Sequence, residues 1–476
     1  MLQDDVLLEI FDFYRLIPVY SPFRLVMSWP WHLLVHVCRR WRQIVFESPR
    51  RLNLQIRCTH KTPVRKNLRI WPNFPIFLNF NYTGRSLRPR GVGNIIDALR
   101  LSSRVGHVEL NITSSLLEKM VTVMQEPFPA LTYLEIFSTR YEENLPGGFL
   151  GGSAPRLQKI YLDNLSFPAL PTFLLSTSDL ITLSLGGIPP SGYISPEVMI
   201  ASLVALPRLE NLYIEFRSPT PHPSQIRPPP STRIVLLALT SFTFDAAREY
   251  LEDIVAQIDC PHLEAFRVGC LNSLSDVPIV QIPKFVDRSV GPKSSLFRHA
   301  QVCFSYGSFS FDMFRRDPDP FWYHFPAQDS SLTIKRSIIR CDGIGQQVFN
   351  IAQVLSRFSE RLSDVVHLEL EVRPEEVRQI EGTTNAEWLH LLRQFPAAQT
   401  LHVSLELTGY IALALEDVTE EIVTDILPLL ELICLEAQPV PSLKRFVAVR
   451  RLTGCPVTVV GTMAEFKERL DSYISE

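Results

Sequence analysis

His32 and His36 stand four residues apart, the spacing at which two imidazoles share a helix face and can hold zinc. The chemistry built on such a pair needs a glutamate after the first histidine, and Leu33 stands there. No Cys-x-x-Cys occurs among the eight cysteines (38, 58, 260, 270, 303, 341, 434 and 455), so a structural zinc site has no support either. Gly147-Gly148 and Gly151-Gly152 flank Phe149 and Leu150. They lack the strand-to-helix context and the lysine of a phosphate loop, and they read as a flexible turn. No Gly-x-Ser-x-Gly elbow presents a nucleophile. Asp317 and Asp319 could pair as catalytic carboxylates, but Pro318 and Pro320 beside them indicate a turn. Glu375-Glu376 and Glu420-Glu421 read as solvated helix starts. The chain is therefore expected to have no catalytic residue, no cofactor and no metal ligand.

What remains is the chemistry of docking. In Trp31–Arg51, Leu34, Val37, Cys38, Trp41, Ile44 and Val45 fall at i, i+3, i+4, i+7, i+10 and i+11, one apolar stripe on a helix. Upstream, Leu2–Tyr14 places Val6, Leu7, Ile10, Phe11 and Tyr14 on one face, with Asp4 and Asp5 in the first turn, where negative charge suits the helix dipole. Helices this short are marginal alone in water and must dock on something.

Residues Leu2–Tyr14 followed by His36–Leu52 resemble an F-box, and most closely the divergent F-box proteins abundant in mushroom-forming fungi. Val37, Cys38, Arg39 and Trp41 match that family's Val-Cys-Arg-x-Trp pattern. Gln3 replaces its early proline, and Arg15–Pro30 is longer and more aromatic than the usual link. The resemblance covers residues 1–50. It implies docking on a Skp-type adaptor, within a cullin ubiquitin-ligase complex, through Leu7, Ile10, Leu34, Val37, Cys38, Trp41 and Ile44.

The rest of the 476 residues shows a repeat. Anchors of the form L-x-x-L-x-L recur at Val105–Val108–Leu110, Leu131–Leu134–Ile136, Leu157–Ile160–Leu162, Leu180–Leu183–Leu185, Leu209–Leu212–Ile214, Leu239–Phe242–Phe244 and Leu263–Phe266–Val268. Their spacings of 26, 26, 23, 29, 30 and 24 suit one short strand plus a helix or loop per turn. Pro129, Pro155, Pro207 and Pro261 precede anchors and fix the entry into each strand. Between anchors, Ser114–Glu126 and Ala246–Ile258 are amphipathic, and Ser195-Pro196-Glu197 is a helix start. The pattern resembles leucine-rich repeats of an irregular kind, because Thr113, Thr139, Leu165 and Leu271 stand where regular repeats carry asparagine. The expected fold class is α/β: a short helical module at 1–50, a basic linker or first capping element at 51–100, and a leucine-rich-repeat-like βα body at 101–476.

Aromatic, strand-like residues at 296–340 suggest a hairpin inserted in the array. Alternation resumes with a helix at Gly345–Arg361, a strand at Val365–Leu370, a helix from Thr384, a strand at Leu401–Leu407 and a closing helix at Met463–Ile474. Thr384/Glu387 and Thr462/Glu465 read as capping boxes. Ser218–Ser231 is proline-rich and bulges as a loop.

Charge is uneven. Residues 1–100 hold sixteen Lys and Arg against six Asp and Glu, so with a net charge of −3 the remainder carries −13. A basic N-terminal part suits an acidic partner such as a Skp-type adaptor; nucleic acid is the less favoured occupant. No apolar run reaches the ~18 residues needed to cross a bilayer. The N-terminus lacks the basic region of a secretory signal, and the scattered cysteines read as reduced thiols of a cytoplasmic or nuclear protein. The expectation is a substrate receptor whose repeat body binds an unknown protein target. Tyr133, Tyr161 and Tyr213 alternate with buried anchor residues and offer outward-facing contact groups. The competing reading is a repeat-based scaffold that never meets a ligase.

Overall fold

The computed structural model describes residues 2–15, 18–21, 24–27, 31–49, 51–52, 54–61, 64–70, 74–81, 89–139, 143–217, 233–270, 280–289, 297–305, 308–314, 330–337, 344–372, 383–436, 443–462 and 465. The Asp317–Asp319 turn, Glu375-Glu376, the proline-rich segment 218–231 and, but for Glu465, the closing helix 463–474 lie outside them. The chain divides into two units, Met1–Thr177 and Ser178–Glu476.

Unit 1 begins with α1 (Asp4–Arg15), an antiparallel hairpin of β1 (Pro18–Ser21) and β2 (Arg24–Met27), α2 (Trp31–Leu34) and α3 (Arg39–Glu47). The helix expected over Trp31–Arg51 is thus broken. His36 and Val37 close tight turns onto Leu33 O and Leu34 O, and Cys38 takes an extended backbone whose Sγ accepts from Trp41 N at 3.4 Å. Cys38 is the N-cap of α3, which satisfies one of the donors a helix start leaves free.

The sheet of unit 1 follows. Its elements are β3 (Ile56–Cys58), α4 (Val64–Ile70), β4 (Ile76–Asn81), α5 (Pro89–Leu99), β5 (Val105–Ile112), α6 (Ser114–Val123), β6 (Tyr133–Ser138), β7 (Glu143–Asn144), β8 (Lys159–Asp163), β9 (Leu165–Ser166) and α7 (Leu170–Leu174). Strands β3, β4, β5, β6 and β8 pair in parallel in that order, and β7 and β9 form a small separate ladder. Segments 56–58 and 76–81, from the stretch read as a linker or cap, are strands of this sheet. Helix α5 packs against both α4 and α6. Consecutive helices that pack on one another cover one sheet face and leave the other open. The glycine-rich segment Phe149–Gly152 is a tight turn with Leu150 and Gly151 at positive φ and with Phe149 and Leu150 buried. Gly151 has φ 67°, and a Cβ there would meet Pro127 Cγ at 2.8 Å, so this position needs glycine.

Unit 2 comprises β10 (Thr182–Ile188), α8 (Pro196–Val204), β11 (Asn211–Phe216), β12 (Ile234–Val235), β13 (Ser241–Ala246), α9 (Arg248–Gln257), β14 (Ile258–Asp259), β15 (Ala265–Cys270), α10 (Gln281–Ser289), β16 (His299–Ser305), β17 (Ser308–Phe314), β18 (Ser330–Ser337), α11 (Ile344–Leu355), α12 (Ser359–Leu362), β19 (His367–Val372), α13 (Asn385–Leu392), β20 (Thr400–Val403), α14 (Leu405–Glu416), β21 (Leu432–Leu435), α15 (Lys444–Leu452) and β22 (Thr458–Val460). Its sheet runs β10-β11-β13-β15-β18-β17-β16-β19-β20-β21-β22. The aromatic insertion is part of it: β17 runs antiparallel between β16 and β18, while β18 is parallel to β15 and β16 to β19. The strand expected over Leu401–Leu407 ends at Val403, because Ser404 caps α14. Glu420 and Glu421 are exposed, in a run of turns rather than a helix start.

All seven anchors enter or form strands with the predicted parallel neighbours inside each unit, and all of their anchor residues are buried. The prolines before them share one role. Leu131, Leu157, Leu209 and Leu263 N donate to the carbonyls of Phe128, Ala154, Leu206 and Cys260 three residues back. Each proline therefore sits at the second position of a turn, where its fixed φ is already suitable. The missing asparagine ladder is partly replaced: Asn164, at φ 59°, donates from Nδ2 to Ser138 O of the preceding repeat at 3.2 Å. The helix start at Pro196 has Ser195 accepting from Val198 N, and Thr384 with Glu387 forms a complete capping box.

Candidate functional site

The N-terminal module separates the expected docking residues into two sets. Leu7, Leu34 and Ile44 are buried inside it, with Leu8, Phe11, Val35 and Val45. Trp41 is half-buried, its ring edge-on to Phe11 at 4.8 Å. Ile10, Val37 and Cys38 face outward. The apolar face expected from Val6, Leu7, Ile10 and Phe11 is really two stripes. At about 100° per residue, Leu7, Leu8 and Phe11 cluster on one side of α1, and Val6, Ile10 and Phe13 on the other, with Leu2 exposed just before the helix. The second stripe is uncovered, with Phe13 76% exposed, and Leu33 and Val37 (59%) are exposed near the end of α2. Arg40 pins the start of α1 by donating to Asp4 Oδ1 at 2.6 and 3.0 Å, and Arg51 reaches Glu9 and Asp12. These exposed ion pairs orient the helix more than they stabilise it. Trp31 Nε1 donates to Gln55 O at 3.0 Å and its ring meets Phe74 at 5.7 Å, tying the module to the first strands.

The open sheet face of unit 1 carries a row of rings. Arg57, Phe77, His107 and Tyr133 are aligned across β3, β4, β5 and β6. The guanidinium of Arg57 lies 5.7 Å from the Phe77 ring centre. Phe77 stacks on His107 at 4.1 Å, His107 on Tyr133 at 4.0 Å with 4° between planes, and Tyr133 tilts toward Tyr161 at 5.5 Å. Behind them Glu109 meets His107 Nε2 at 2.9 Å, and Glu135 accepts from Tyr133 Oη at 2.7 Å. Burial, then that hydrogen bond, raises the Tyr133 phenol far above its usual range, so it stays a donor. Tyr213, in unit 2, donates to Glu215 at 2.6 Å. All three tyrosines are half-buried, Tyr133 and Tyr161 on this face and Tyr213 on a strand of unit 2, and the hydroxyls of Tyr133 and Tyr213 are taken by glutamates. Phe77, His107, Glu109 and Glu135 escaped the sequence reading. Their signal was the same alternation, had it been followed from one strand to the next.

No family model matches the sequence, and no curated protein does. Among solved structures, the crystal structure of a TLR13–ssRNA13 complex is similar over 85% of this chain, with a TM-score of 0.29 and 13% identity, and the chain spans 48% of that protein's length. An overlap this loose adds nothing to the fold, which rests on the strand registers above. No helix among the described residues is long and apolar enough to cross a membrane. His32 and His36 do not share a helix, since α2 ends at Leu34 and His36 lies in the following turn.

Proposed function

We propose that this chain is the substrate-receptor subunit of a ubiquitin ligase of the Skp, cullin and F-box type, acting by binding rather than catalysis. The observation that carries the reading is the second stripe of α1. Leu2, Val6, Ile10 and Phe13, with Leu33 and Val37 nearby, leave large apolar side chains in water on a module too small to waste them. The F-box resemblance of the same residues supplies the occupant, an acidic Skp-type adaptor, and the basic balance of residues 1–100 suits it. The repeat units would hold a target protein, with the ring row around Tyr133 and Tyr161, and Tyr213 in unit 2, as contact groups. Rate gain would come from holding target lysines near the transferring enzyme.

The structure redirects the test from buried to exposed positions. Full-length chain should capture a purified fungal Skp-type adaptor, and Ile10→Glu with Val37→Glu should weaken capture at least tenfold without shifting thermal unfolding. Equal capture by the double variant, or none by the wild type, rejects the assignment. A repeat scaffold without an adaptor is the second reading. It is favoured by the interruption at Val35–Cys38, which leaves two short helices where one docking helix was expected.

A further inference from the structure

Unit 2 holds a buried ionisable cluster on one face of its sheet. Gln301, Glu369 and His402 lie side by side in register across β16, β19 and β20, and Glu371 follows Glu369 on the same face because side chains alternate along a strand. Gln301 Nε2 donates to Glu369 Oε2 and to Glu371 Oε2, each at 3.1 Å. His402 Nδ1 lies 2.8 Å from Glu369 Oε1, and its Nε2 lies 3.1 Å from Glu436 Oε1, just beyond β21. His299 Nε2 comes within 3.4 Å of Glu369 Oε2. Glu369 is 4% exposed and His402 5%.

Buried carboxylates persist when they are paired or when they coordinate a metal. Three carboxyl groups converge here on His402, with His299 at the edge. Both ring nitrogens of His402 face carboxylate oxygens, so both donate and the ring is an imidazolium. The carboxylates thus call for positive charge between them, which a cation can supply.

Two geometric facts point to that cation. One ligand atom each from Glu369, Glu371 and His402 falls within 4.8 Å of the others. Ligands of a tetrahedral zinc ion, each ~2.1 Å from it, sit about 3.4 Å apart, so the set closes on an ion by moving up to about 1.4 Å, with the 2.8 Å His402–Glu369 hydrogen bond given up. The surroundings are also those of a metal site. A ligating histidine gives its other N–H to a carboxylate, and ligating carboxylates are themselves hydrogen-bonded. Glu436 fills the first role for His402, and Gln301 the second for both glutamates. Cys434 stands beside His402 in register.

We propose that Glu369, Glu371 and His402 bind one divalent transition-metal ion of the zinc class, oriented by Gln301 and Glu436. Two oxygens and one imidazole nitrogen suit zinc or manganese more than calcium. Three protein ligands leave a fourth position for water. The site is independent of the adaptor reading.

Equilibrium dialysis of the full chain against zinc chloride tests it. The wild type should retain one more tightly held ion than Glu371→Gln, and His402→Gln should lose the same ion. Glu436→Gln keeps all three ligands and removes only the outer carboxylate, so it should weaken binding about 10–100-fold. Zinc should raise the unfolding temperature of the wild type and not that of Glu371→Gln. Zinc held by the exposed thiols of Cys38 and Cys455 is common to all variants and cancels. Equal stoichiometry and affinity in wild type and Glu371→Gln overturns the proposal, as does a folded wild type that retains no extra ion. Should Glu371→Gln fail to fold, unchanged zinc affinity in Glu436→Gln overturns it equally.

Discussion

The open sheet face of unit 1 is tiled with rings, and the Glu369 side of unit 2's sheet, from β16 to β21, with buried carboxylates and imidazoles. The backbone underneath is the same in kind: neighbouring strands ~4.8 Å apart, with outward residues at every second position. At that spacing side chains in register touch their own counterparts in the next strand. Where the positions hold Phe77, His107 and Tyr133, rings stack at 4.0–4.1 Å. Where they hold Gln301, Glu369 and His402, charges meet and must be settled by protons or a cation. His107 and His402 make the contrast concrete: the first is stacked between two rings with one carboxylate at its edge, the second is clamped between two carboxylates. A repeat thus amplifies whatever its outward positions contain.

The largest effect that could break this comparison is the loss of one partner from the cluster. In metal-free buffer, His402→Ala leaves Glu369 buried without its main counter-charge and should cost about 3–5 kcal/mol by urea denaturation. His107→Ala in unit 1 removes a ring stack and should cost about 0.5–1.5 kcal/mol. Equal losses would mean that the two faces are energetically alike.

Stability should next depend on pH through unit 2. His402 is raised from 6.5 to about 9 and Glu371 from 4.5 to about 8. Both bind protons more tightly folded than unfolded, so their contribution is full below the unfolded values and is lost as pH rises through the folded ones. Metal-free protein should therefore lose stability steadily from about pH 5 to pH 9, and His402→Gln should flatten the upper part of that decline. A stability that rises over this range would sink the imidazolium assignment.

A smaller effect concerns the ring row. Tyr133→Phe removes one hydrogen bond to Glu135 and should cost about 0.5–1.5 kcal/mol, while retaining target binding if the ring face is what the partner uses. Tyr133→Ala with Tyr161→Ala should lose target binding and keep the adaptor. Retention of every partner by the double variant would remove this face from consideration.

The smallest effect is a labelling pattern. Burial pushes Cys58, Cys260 and Cys434 up to about 12, so iodoacetamide at pH 8 should leave them unmodified in the folded chain while exposed Cys38 and Cys455 react. Labelling of Cys434 in native protein would show that the face beside His402 opens.

Much of this was open to reading from the chain. The anchors foretold the strands because a buried parallel strand needs apolar residues at fixed alternation, and their prolines marked the turns. The same turn recurs at Pro396 and Pro428, where Ala398 and Leu430 N bond Phe395 O and Leu427 O; it would have sharpened the start of β20 and placed β21. The head was harder. A helical wheel assumes an unbroken helix, and a cysteine acting as an N-cap restarted the phase at Arg39, so Leu34 and Val37 parted company. The cluster was harder still. Leu368-Glu369-Leu370-Glu371 and Leu401-His402-Val403 each read as an ordinary strand, and nothing local says that β19 and β20 align Glu369 with His402.

The reversed strand β17 bears on how unit 2 comes to be folded. Every parallel pair must first close a crossover of tens of residues, and that loop entropy is lost before any ladder forms. Ser305 and Ser308 are joined by two residues, and β16 and β17 pair along their whole length. A hairpin of this kind forms in about 1–10 μs, far ahead of its parallel neighbours. Its outer edge presents β16, the strand on which β19 must align. The insertion that interrupts the repeat can therefore serve as its nucleus, and hydrogen exchange during refolding should protect Val302 and Phe311 before Leu401 or Ile433.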